Sequence, residues 1–221
     1  MDFLNPSPEG GMTRNWIITK DQFLTVDEVQ RLYKVLRDAR DLALQRQSFF
    51  VHIRDYYLMR VLLESGLRVF ECAALRISDY RSGSLIVRNG KGGKKRNVLL
   101  AKDTQKMIAE FLKLKAKVLR EPLGEEDFLF ISERHLPYTT RGIRKRVKFW
   151  FAKIGVSADL SCHSCRHSYV SHMLAAGVDI ATIRDNAGHS SLAVTSIYAH
   201  AVKDDLGDLQ LYSSENSRKR N

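Results

Sequence analysis

Long hydrophobic runs are missing from this sequence of 221 residues. No stretch approaches the ~20 consecutive apolar residues that a membrane-spanning helix needs, so a helical membrane protein is excluded. The stretch MDFLNPSPEGGMTRNW at the start carries neither a basic segment nor an apolar one, and a secretory signal is therefore not predicted. We expect a protein without membrane association that acts in the cytoplasm.

Cysteine is also scarce, with only Cys72, Cys162 and Cys165. A small, odd number in a chain of this length is typical of a reducing compartment and argues against a disulfide framework. Cys162 and Cys165 form a C-x-x-C pair, but no second pair accompanies it at zinc-site spacing, and no βαβ pattern surrounds it. We expect buried, unreactive thiols, and neither a metal nor another cofactor.

Acidic residues are also few relative to basic residues. The 36 Lys and Arg residues outnumber the 25 Asp and Glu residues, which gives a net charge of +11 and a pI of about 9.7. A solvated basic surface accounts for some of this excess. An excess of this size nevertheless favours a polyanionic partner.

Most apolar residues of the sequence repeat at helical spacing. Thr25 and Glu28 form a capping box ahead of apolar residues at helical spacing. Further helices are predicted over residues 47–64, 102–119, 139–155, 163–176, 180–187 and 191–200. Residues 84–100 form two β-type runs around a glycine-rich turn, and DFLFIS at 127–132 predicts one more short strand. The expected fold is therefore mainly α with a small antiparallel β-sheet, an α+β class.

Six residues of catalytic type stand in short patterns scattered along the chain. They are Arg68 after a helix-ending glycine, Lys91 in the hairpin turn, His163 and Arg166 on one helix face, His189 in AGHSS, and Tyr198 in the last predicted helix. Taken singly, each has an ordinary interpretation. A helical tyrosine is most often a core residue, and a turn lysine is most often solvated; Lys94 and Lys95 also compete with Lys91.

The ordered set of patterns resembles the catalytic domain of the tyrosine recombinases, the family of phage integrases and Xer recombinases. The signatures G-L-R-x-x-E, G-K-G-x-x-x-R, H-x-x-R-H, G-H-S and a terminal Tyr stand here at residues 66–71, 90–96, 163–167, 188–190 and 198. The resemblance runs from about residue 23 to residue 200. It implies that family's fold and a site-specific recombinase or integrase that cuts and rejoins double-stranded DNA.

The resemblance also implies the central chemistry. Tyr198 would attack the scissile phosphate, form a 3′-phosphotyrosyl bond and free a 5′-hydroxyl. Arg68 and Arg166 would hold the non-bridging oxygens, since a guanidinium is a planar fork of fixed positive donors.

The other members of the set would support that step. Lys91 is the candidate general acid for the leaving 5′-oxygen, and His163 is the acid/base partner of the tyrosine. His189 would donate to a phosphate oxygen. Glu71, one helical turn from Arg68, would orient its neighbours, while His167 gives structural support.

Two basic clusters extend this interpretation to the DNA backbone, although a solvated helix face is the ordinary alternative. One lies in the hairpin and one in the helix at 139–155, and we expect them to contact phosphates with salt-dependent affinity. The predicted DNA-binding residues are Arg88, Lys94, Lys95, Arg96, Arg141, Arg144, Lys145 and Lys148.

The predicted organisation is a flexible lead-in at 1–22, a catalytic domain at 23–203, and a C-terminal segment with a polar tail at 204–221. The lead-in is too short for the separate core-binding domain of most family members. The chain is thus similar to small single-domain members such as the fimbrial inversion recombinases, or is a fragment of a longer protein. Phe70, Cys165 and Ala187 depart from the family pattern at packing positions.

Assembly and alternatives follow from the same resemblance. We expect a tetramer or dimer of dimers on DNA, with accessory DNA-bending proteins as partners. The C-terminal segment either docks on a neighbouring protomer or packs on its own domain. A type IB topoisomerase-like enzyme would share the chemistry without strand exchange. A non-catalytic DNA-binding protein of this fold, or a helix-turn-helix regulator, would not need all six residues.

Overall fold

Seven α-helices and a three-stranded antiparallel sheet make up the part of the chain that the computed structural model describes, residues 18–47, 50–90, 93 and 95–189. The order is α1 (Val26–Gln45), α2 (Phe50–Ser65), α3 (Val69–Ala74), β1 (Tyr80–Arg81), β2 (Ser84–Val87), β3 (Arg96–Leu99), α4 (Lys102–Leu119), α5 (Thr140–Lys153), α6 (Cys162–Ala175) and α7 (Ile180–Ala187). This arrangement confirms the α+β class. The helix predicted at 191–200 lies outside the described residues.

The core is built around α2, which lies between α1, α4 and α6. Residues on nearly every side of α2 are buried, as in a helix with neighbours all round. α1 instead buries one stripe, which includes Val29, Leu32 and Leu36. The predicted capping box is confirmed at its start, where Thr25 Oγ1 accepts from the Glu28 N–H at 3.2 Å and Glu28 Oε2 accepts from the Thr25 N–H at 2.8 Å.

Gly66 ends α2 and turns the chain toward the site. Its φ of +63° lies in the left-handed region, and a Cβ on it would fall 2.4 Å from Cδ1 of Tyr169 on α6. Glycine is therefore required both by the backbone and by the ring packed against it. The chain next extends through Arg68, which is the residue preceding α3.

The predicted hairpin is confirmed as β2 and β3, which pair antiparallel with Val87 opposite Arg96 and Ser84 opposite Leu99. β1 adds a two-residue strand on the other side of β2, so the strand order is β1-β2-β3. Lys91, Gly92 and Lys94 of the connecting turn lie outside the described residues.

The strand predicted at residues 127–132 is not formed. Phe128 pairs only with Arg76 and Ile131 only with Pro137, each as an isolated bridge. The prediction was wrong because burial, not sheet pairing, explains the apolar run, since Leu129 and Phe130 are buried in the core.

An ionic cluster that the sequence analysis did not anticipate joins α2 to α5. Asp55 is fully buried, and its carboxylate accepts from Arg54 and Arg146 and, at 2.9 Å, from Nε1 of Trp150. Arg54 also donates to the carbonyl of Ile131 at 3.2 Å. These bonds fix the orientation of α5, whose outer face carries the predicted basic cluster.

The described chain begins inside the segment that was predicted to be a lead-in. Ile18 and Phe23 are buried in a second apolar cluster with residues of α6 and α7, and the Leu24 N–H donates to Ser168 Oγ at 2.9 Å. A 3₁₀ turn at Lys20–Gln22 connects them. Ile18 therefore packs with the helices of the catalytic domain although it lies within the predicted lead-in, and the boundary at residue 22 stays a prediction.

The three cysteines are buried as free thiols, as predicted. Burial raises the pKa of Cys162 to about 11 and that of Cys165 well above its usual range, so both remain protonated near neutral pH. Within the described ranges, no helix is long and apolar enough to cross a membrane.

Candidate active site

Glu71 lies at the centre of the site, on the first turn of α3. Its side chain is 0% exposed, and its Oε2 accepts from the backbone N–H of Arg68 at 2.8 Å. Its Oε1 accepts from Nη1 of Arg68 at 3.1 Å. Burial alone would raise the pKa of this carboxyl, but the hydrogen bonds from Arg96 and Arg68 and their charges bring it below its usual range. Glu71 is thus a carboxylate bound to both the backbone and the side chain of Arg68, and its orienting role in catalysis stays a prediction.

Arg96 also binds Glu71, and this differs from its predicted contact with the DNA backbone. Its Nη1 and Nη2 donate to the two carboxylate oxygens at 2.7 and 2.9 Å, and its Nε donates to the carbonyl of Asn186 at 3.0 Å. The side chain is only 14% exposed. The structure therefore places Arg96 inside the protein, because the buried carboxylate and the α7 carbonyl provide acceptors for its planar fork.

Gly188 and His189 bring the end of α7 to the same place. Gly188 has φ +66° and ends the helix, and its carbonyl accepts from Nη2 of Arg68 at 3.0 Å. Burial, followed by the charges of Arg166 and Arg68, lowers the pKa of His189 to about 3. His189 is therefore a neutral imidazole at pH 7, with one N–H donor and one acceptor nitrogen.

α6 contributes the second guanidinium and two more imidazoles. Arg166 is buried, and its Nη1 donates to the Gly66 carbonyl at 2.7 Å, two residues before Arg68. His163 stands exposed on the first turn, and its ring centroid lies 6.4 Å from that of His167. Burial, followed by the charge of His163, lowers the pKa of His167 to about 4.

The predicted catalytic residues within the described ranges therefore converge from three elements. Although His163 is exposed overall, desolvation of part of its ring, and then the charges of Arg166, Arg144 and Arg68, lower its pKa, so its imidazole is neutral at pH 7 and able to accept a proton. The charges of Arg68 and Arg166 act on His189 as well. The structure brings together Arg68, Glu71, His163, Arg166 and His189. Lys91 and Tyr198 lie outside the described residues.

The basic side chains predicted to bind DNA fall into distinct settings. Arg141, Arg144 and Lys145 are exposed on α5, and Arg144 lies close enough for its charge to lower the pKa of His163. Lys148 is exposed too, but its Nζ donates to the carbonyl of Ala158. α5 therefore presents basic groups beside the site.

The basic side chains of the hairpin that were predicted to bind DNA differ in their exposure. Arg88 donates to Asp79 Oδ1 at 2.6 Å and to Ser78 Oγ at 2.8 Å, which partly neutralises it. Lys95 is exposed, and Lys94 lies outside the described residues. With Arg96 directed inward, the described part of the hairpin offers one exposed lysine and one half-exposed arginine for a phosphate.

Asn186 is a structural residue of the site that the sequence analysis missed. Its side-chain amide accepts from the Leu99 N–H at 3.0 Å and donates to the Leu99 carbonyl at 3.3 Å, so it extends β3 as a strand residue would. Nδ2 also donates to the hydroxyl of Tyr169 at 2.9 Å. Its position shortly before Gly188 and His189 was the only available signal, and an asparagine near a helix end normally predicts a cap.

Several known proteins are similar to this chain in sequence. The model of the phage integrase family matches residues 22–204. The tyrosine recombinase XerC of Listeria welshimeri is 30% identical over 186 residues, which cover 84% of this chain and 59% of the relative. XerC of Vibrio cholerae serotype O1 is 29% identical over 199 residues, 90% of this chain and 60% of the relative.

Solved structures agree with the sequence relatives. The crystal structure of the XerA recombinase is similar with a TM-score of 0.67 and 29% identity, over 83% of this chain and 63% of that chain. The catalytic domain of bacteriophage HP1 integrase has the same fold with a TM-score of 0.56 at 21% identity, over 84% of this chain and 90% of that chain.

The chain spans about 60% of the length of the curated relatives that it matches. The match covers both the elements that carry Arg68, Arg166 and His189 and the segment that contains Tyr198. Its fold is that of tyrosine recombinase and integrase catalytic domains. This chain belongs to the phage integrase family.

Proposed function

We propose that this protein is a site-specific DNA recombinase that cuts and rejoins DNA through a 3′-phosphotyrosyl intermediate. The observation that carries the proposal is the convergence of two oriented guanidiniums with neutral histidines. Arg166 is held by the Gly66 carbonyl at 2.7 Å, and Arg68 by Glu71 and Gly188 at 3.1 and 3.0 Å. Donors fixed before the substrate arrives stabilise developing phosphorane charge without reorganisation, which is worth about 3 kcal/mol each.

The proposed reaction uses the family roles of these side chains. The phenolic oxygen of Tyr198 attacks phosphorus, and the bond from phosphorus to the 5′-oxygen breaks. His163, neutral at pH 7, accepts the phenolic proton, and Lys91 gives a proton to the leaving oxygen. Attack by a 5′-hydroxyl reverses these transfers and releases the tyrosine. The bond energy is kept in the covalent intermediate, so no nucleotide cofactor is needed.

Double-stranded DNA is the proposed partner, in the cytoplasm. Structures of the same fold include XerH bound to the difH substrate and a lambda integrase dimer bound to a core site. In this chain, Arg144 of α5 lies close enough to His163 for its charge to lower that pKa, and Arg141 and Lys145 are exposed on the same helix. These three side chains would contact phosphates that flank the cleavage site. Assembly as a tetramer or dimer of dimers on DNA, and accessory bending proteins, belong to the same proposal.

A covalent trap tests the proposal. The protein is incubated with supercoiled plasmid and with nicked suicide duplexes, quenched with detergent, and compared with Tyr198→Phe. We expect a DNA-linked protein band in the wild type alone, whose modified peptide contains Tyr198. An adduct that persists in Tyr198→Phe would contradict the assignment of the nucleophile. Plasmid relaxation without recombinant products would favour the topoisomerase alternative.

A further inference from the structure

The Arg96 side chain is largely buried against Glu71, whereas a contact with a DNA phosphate would require it to be exposed. We propose that Arg96 is a positioning residue, which holds the carboxylate of Glu71 and thereby keeps the guanidinium of Arg68 available to the scissile phosphate. The inference deepens the proposed function and rests on it, since Arg68 has a phosphate to bind only if the chain cuts DNA.

The first support is the division of the Glu71 carboxylate between two arginines. Arg96 binds both oxygens, at 2.7 and 2.9 Å, whereas the Arg68 side chain binds only Oε1, at the longer distance of 3.1 Å. The remaining bond from Arg68 to Glu71 comes from the backbone N–H, at 2.8 Å. Glu71 is thus neutralised mainly by Arg96 and is linked to Arg68 mainly through the backbone.

The second support is the competition that would follow if Arg96 were removed. A fully buried carboxylate requires a charged partner, and its desolvation penalty is high without one. Arg68 would then be the only arginine left on Glu71 and would be drawn into a bidentate pair with it. A guanidinium bound in this way has fewer donors left for a phosphate. Arg96 therefore prevents the orienting carboxylate from sequestering the catalytic arginine.

The third support is a second link from Arg96 to the end of α7. Its Nε donates to the Asn186 carbonyl at 3.0 Å, and a Cβ on Gly188 would fall 2.9 Å from its Cζ. The carbonyl of Gly188 is the acceptor for Nη2 of Arg68, at 3.0 Å. The Arg96 side chain, at the start of β3, thus supports both contacts that orient Arg68.

Cleavage rate and DNA affinity, measured separately, test the inference. Single-turnover formation of the covalent adduct on a suicide duplex at saturating DNA gives the rate of the chemical step, and equilibrium binding gives Kd. For Arg96→Met we expect adduct formation about a hundredfold slower, as for a misplaced catalytic group, with Kd little changed. Arg96→Lys, which keeps the charge but cannot form the bidentate pair, should show a smaller loss.

A double-mutant cycle separates positioning from general support of the fold. In Arg96→Met/Glu71→Gln the competing charge is gone, so we expect about a tenfold recovery of the cleavage rate over Arg96→Met, equivalent to one charge-assisted hydrogen bond released from Arg68. Because Glu71→Gln would also relieve a fold weakened by an unpaired buried carboxylate, the rates are compared under conditions in which urea unfolding shows every variant to be folded. If Arg96→Met does not fold, Arg96→Lys with and without Glu71→Gln completes the same comparison.

Arg60→Lys is the matched control, since Arg60 also forms a half-buried pair with a glutamate, Glu64, at 2.6 Å. It should leave the cleavage rate unchanged. Weaker DNA binding by Arg96→Met with an unchanged rate at saturating DNA would overturn the inference and restore the phosphate-contact prediction. Equal losses of cleavage rate in Arg96→Met and in Arg96→Met/Glu71→Gln would also overturn the inference. A wild type that forms no adduct would instead contradict the proposed function itself.

Discussion

The guanidinium of Arg166 donates to the carbonyl of Gly66 at 2.7 Å, and this bond joins the two halves of the candidate active site. Gly66 ends α2 two residues before Arg68, while Arg166 lies on α6, 100 residues further along the chain. The distance between the guanidiniums of Arg68 and Arg166 is thus set by the turn at Gly66, whose geometry depends on glycine.

Gly66→Ala should destabilise the protein and displace Arg68. The residue would be held at φ +63° with its Cβ 2.4 Å from the Tyr169 ring. We expect the free energy of unfolding to fall by about 2–5 kcal/mol, from left-handed strain together with overpacking.

Urea unfolding checks this value. Gly177→Ala is the control, because Gly177 has φ +74° but a Cβ on it would meet no atom within 4 Å. It should cost only the backbone strain, about 1–2 kcal/mol. Equal losses in the two variants would show that the Tyr169 contact is unimportant.

Asp55→Ala should be among the most destabilising substitutions away from the site. It would leave Arg54 and Arg146 without the carboxylate that both of them bind. Breaking a buried ionic cluster in this way costs about 3–5 kcal/mol. Asp38→Ala removes an exposed pair with Lys34 and should change the stability by no more than about 1 kcal/mol. Thermal or urea denaturation measures both, and similar losses would mean that the Asp55 cluster is energetically minor.

Stability should decline on acidification, with His189 and His167 as contributors. In the unfolded chain both imidazoles take up a proton near pH 6.5, whereas in the folded protein their pKa values are about 3 and about 4. The unfolded state therefore binds more protons between these limits. The free energy of unfolding is therefore highest above pH 6.5, where both imidazoles are neutral in the folded and the unfolded state. It falls as the pH drops from 6.5 through their folded pKa values.

His189→Gln should make this decline shallower. The difference in the free energy of unfolding between pH 7 and pH 4.5 is the quantity to compare, since it cancels any loss that is independent of pH. His135→Gln, at an exposed position, is the control and should leave the decline unchanged. A decline as steep in His189→Gln as in the wild type would contradict the low pKa of His189.

Arg144→Ala/Lys145→Ala should reduce the salt dependence of DNA binding. Each phosphate contact that is lost lowers the slope of log K against log salt by roughly 0.9. A charge-matched control is Lys34→Ala/Lys106→Ala, which removes two exposed lysines from α1 and α4. Lys148→Ala should have less effect than Lys145→Ala, because Lys148 Nζ already donates to the Ala158 carbonyl. A slope equally reduced in the control would mean that α5 has no special role.

Helices and the hairpin could be predicted because their signals are local. The apolar stripe of α1, the Thr25 cap and the glycine-rich turn between two β-type runs each depend on residues close together in the sequence. The residues of the site were also accessible, since each stands in a short pattern. Their convergence in space came from the resemblance and not from the patterns alone.

Local sequence patterns did not predict that the Arg96 side chain points into the protein. It stands among basic residues in the sequence, so a surface role was the natural prediction, and its partner Glu71 is 25 residues away on another element. Asp55 illustrates the same limit, because its partners Arg146 and Trp150 are more than 90 residues distant. Pairing between distant residues depends on tertiary packing, which no local pattern in one sequence reports.

The most direct test of the account is the rate of covalent adduct formation on a suicide duplex by the wild type, Tyr198→Phe, Arg68→Lys and Arg166→Lys. The account predicts an adduct at Tyr198 in the wild type and none in Tyr198→Phe. Each lysine variant should form it roughly 10²–10³-fold more slowly while still binding DNA, as expected when one oriented donor is lost. An adduct at another residue, or unimpaired rates in both lysine variants, would contradict the central claim that these two arginines serve a tyrosine nucleophile.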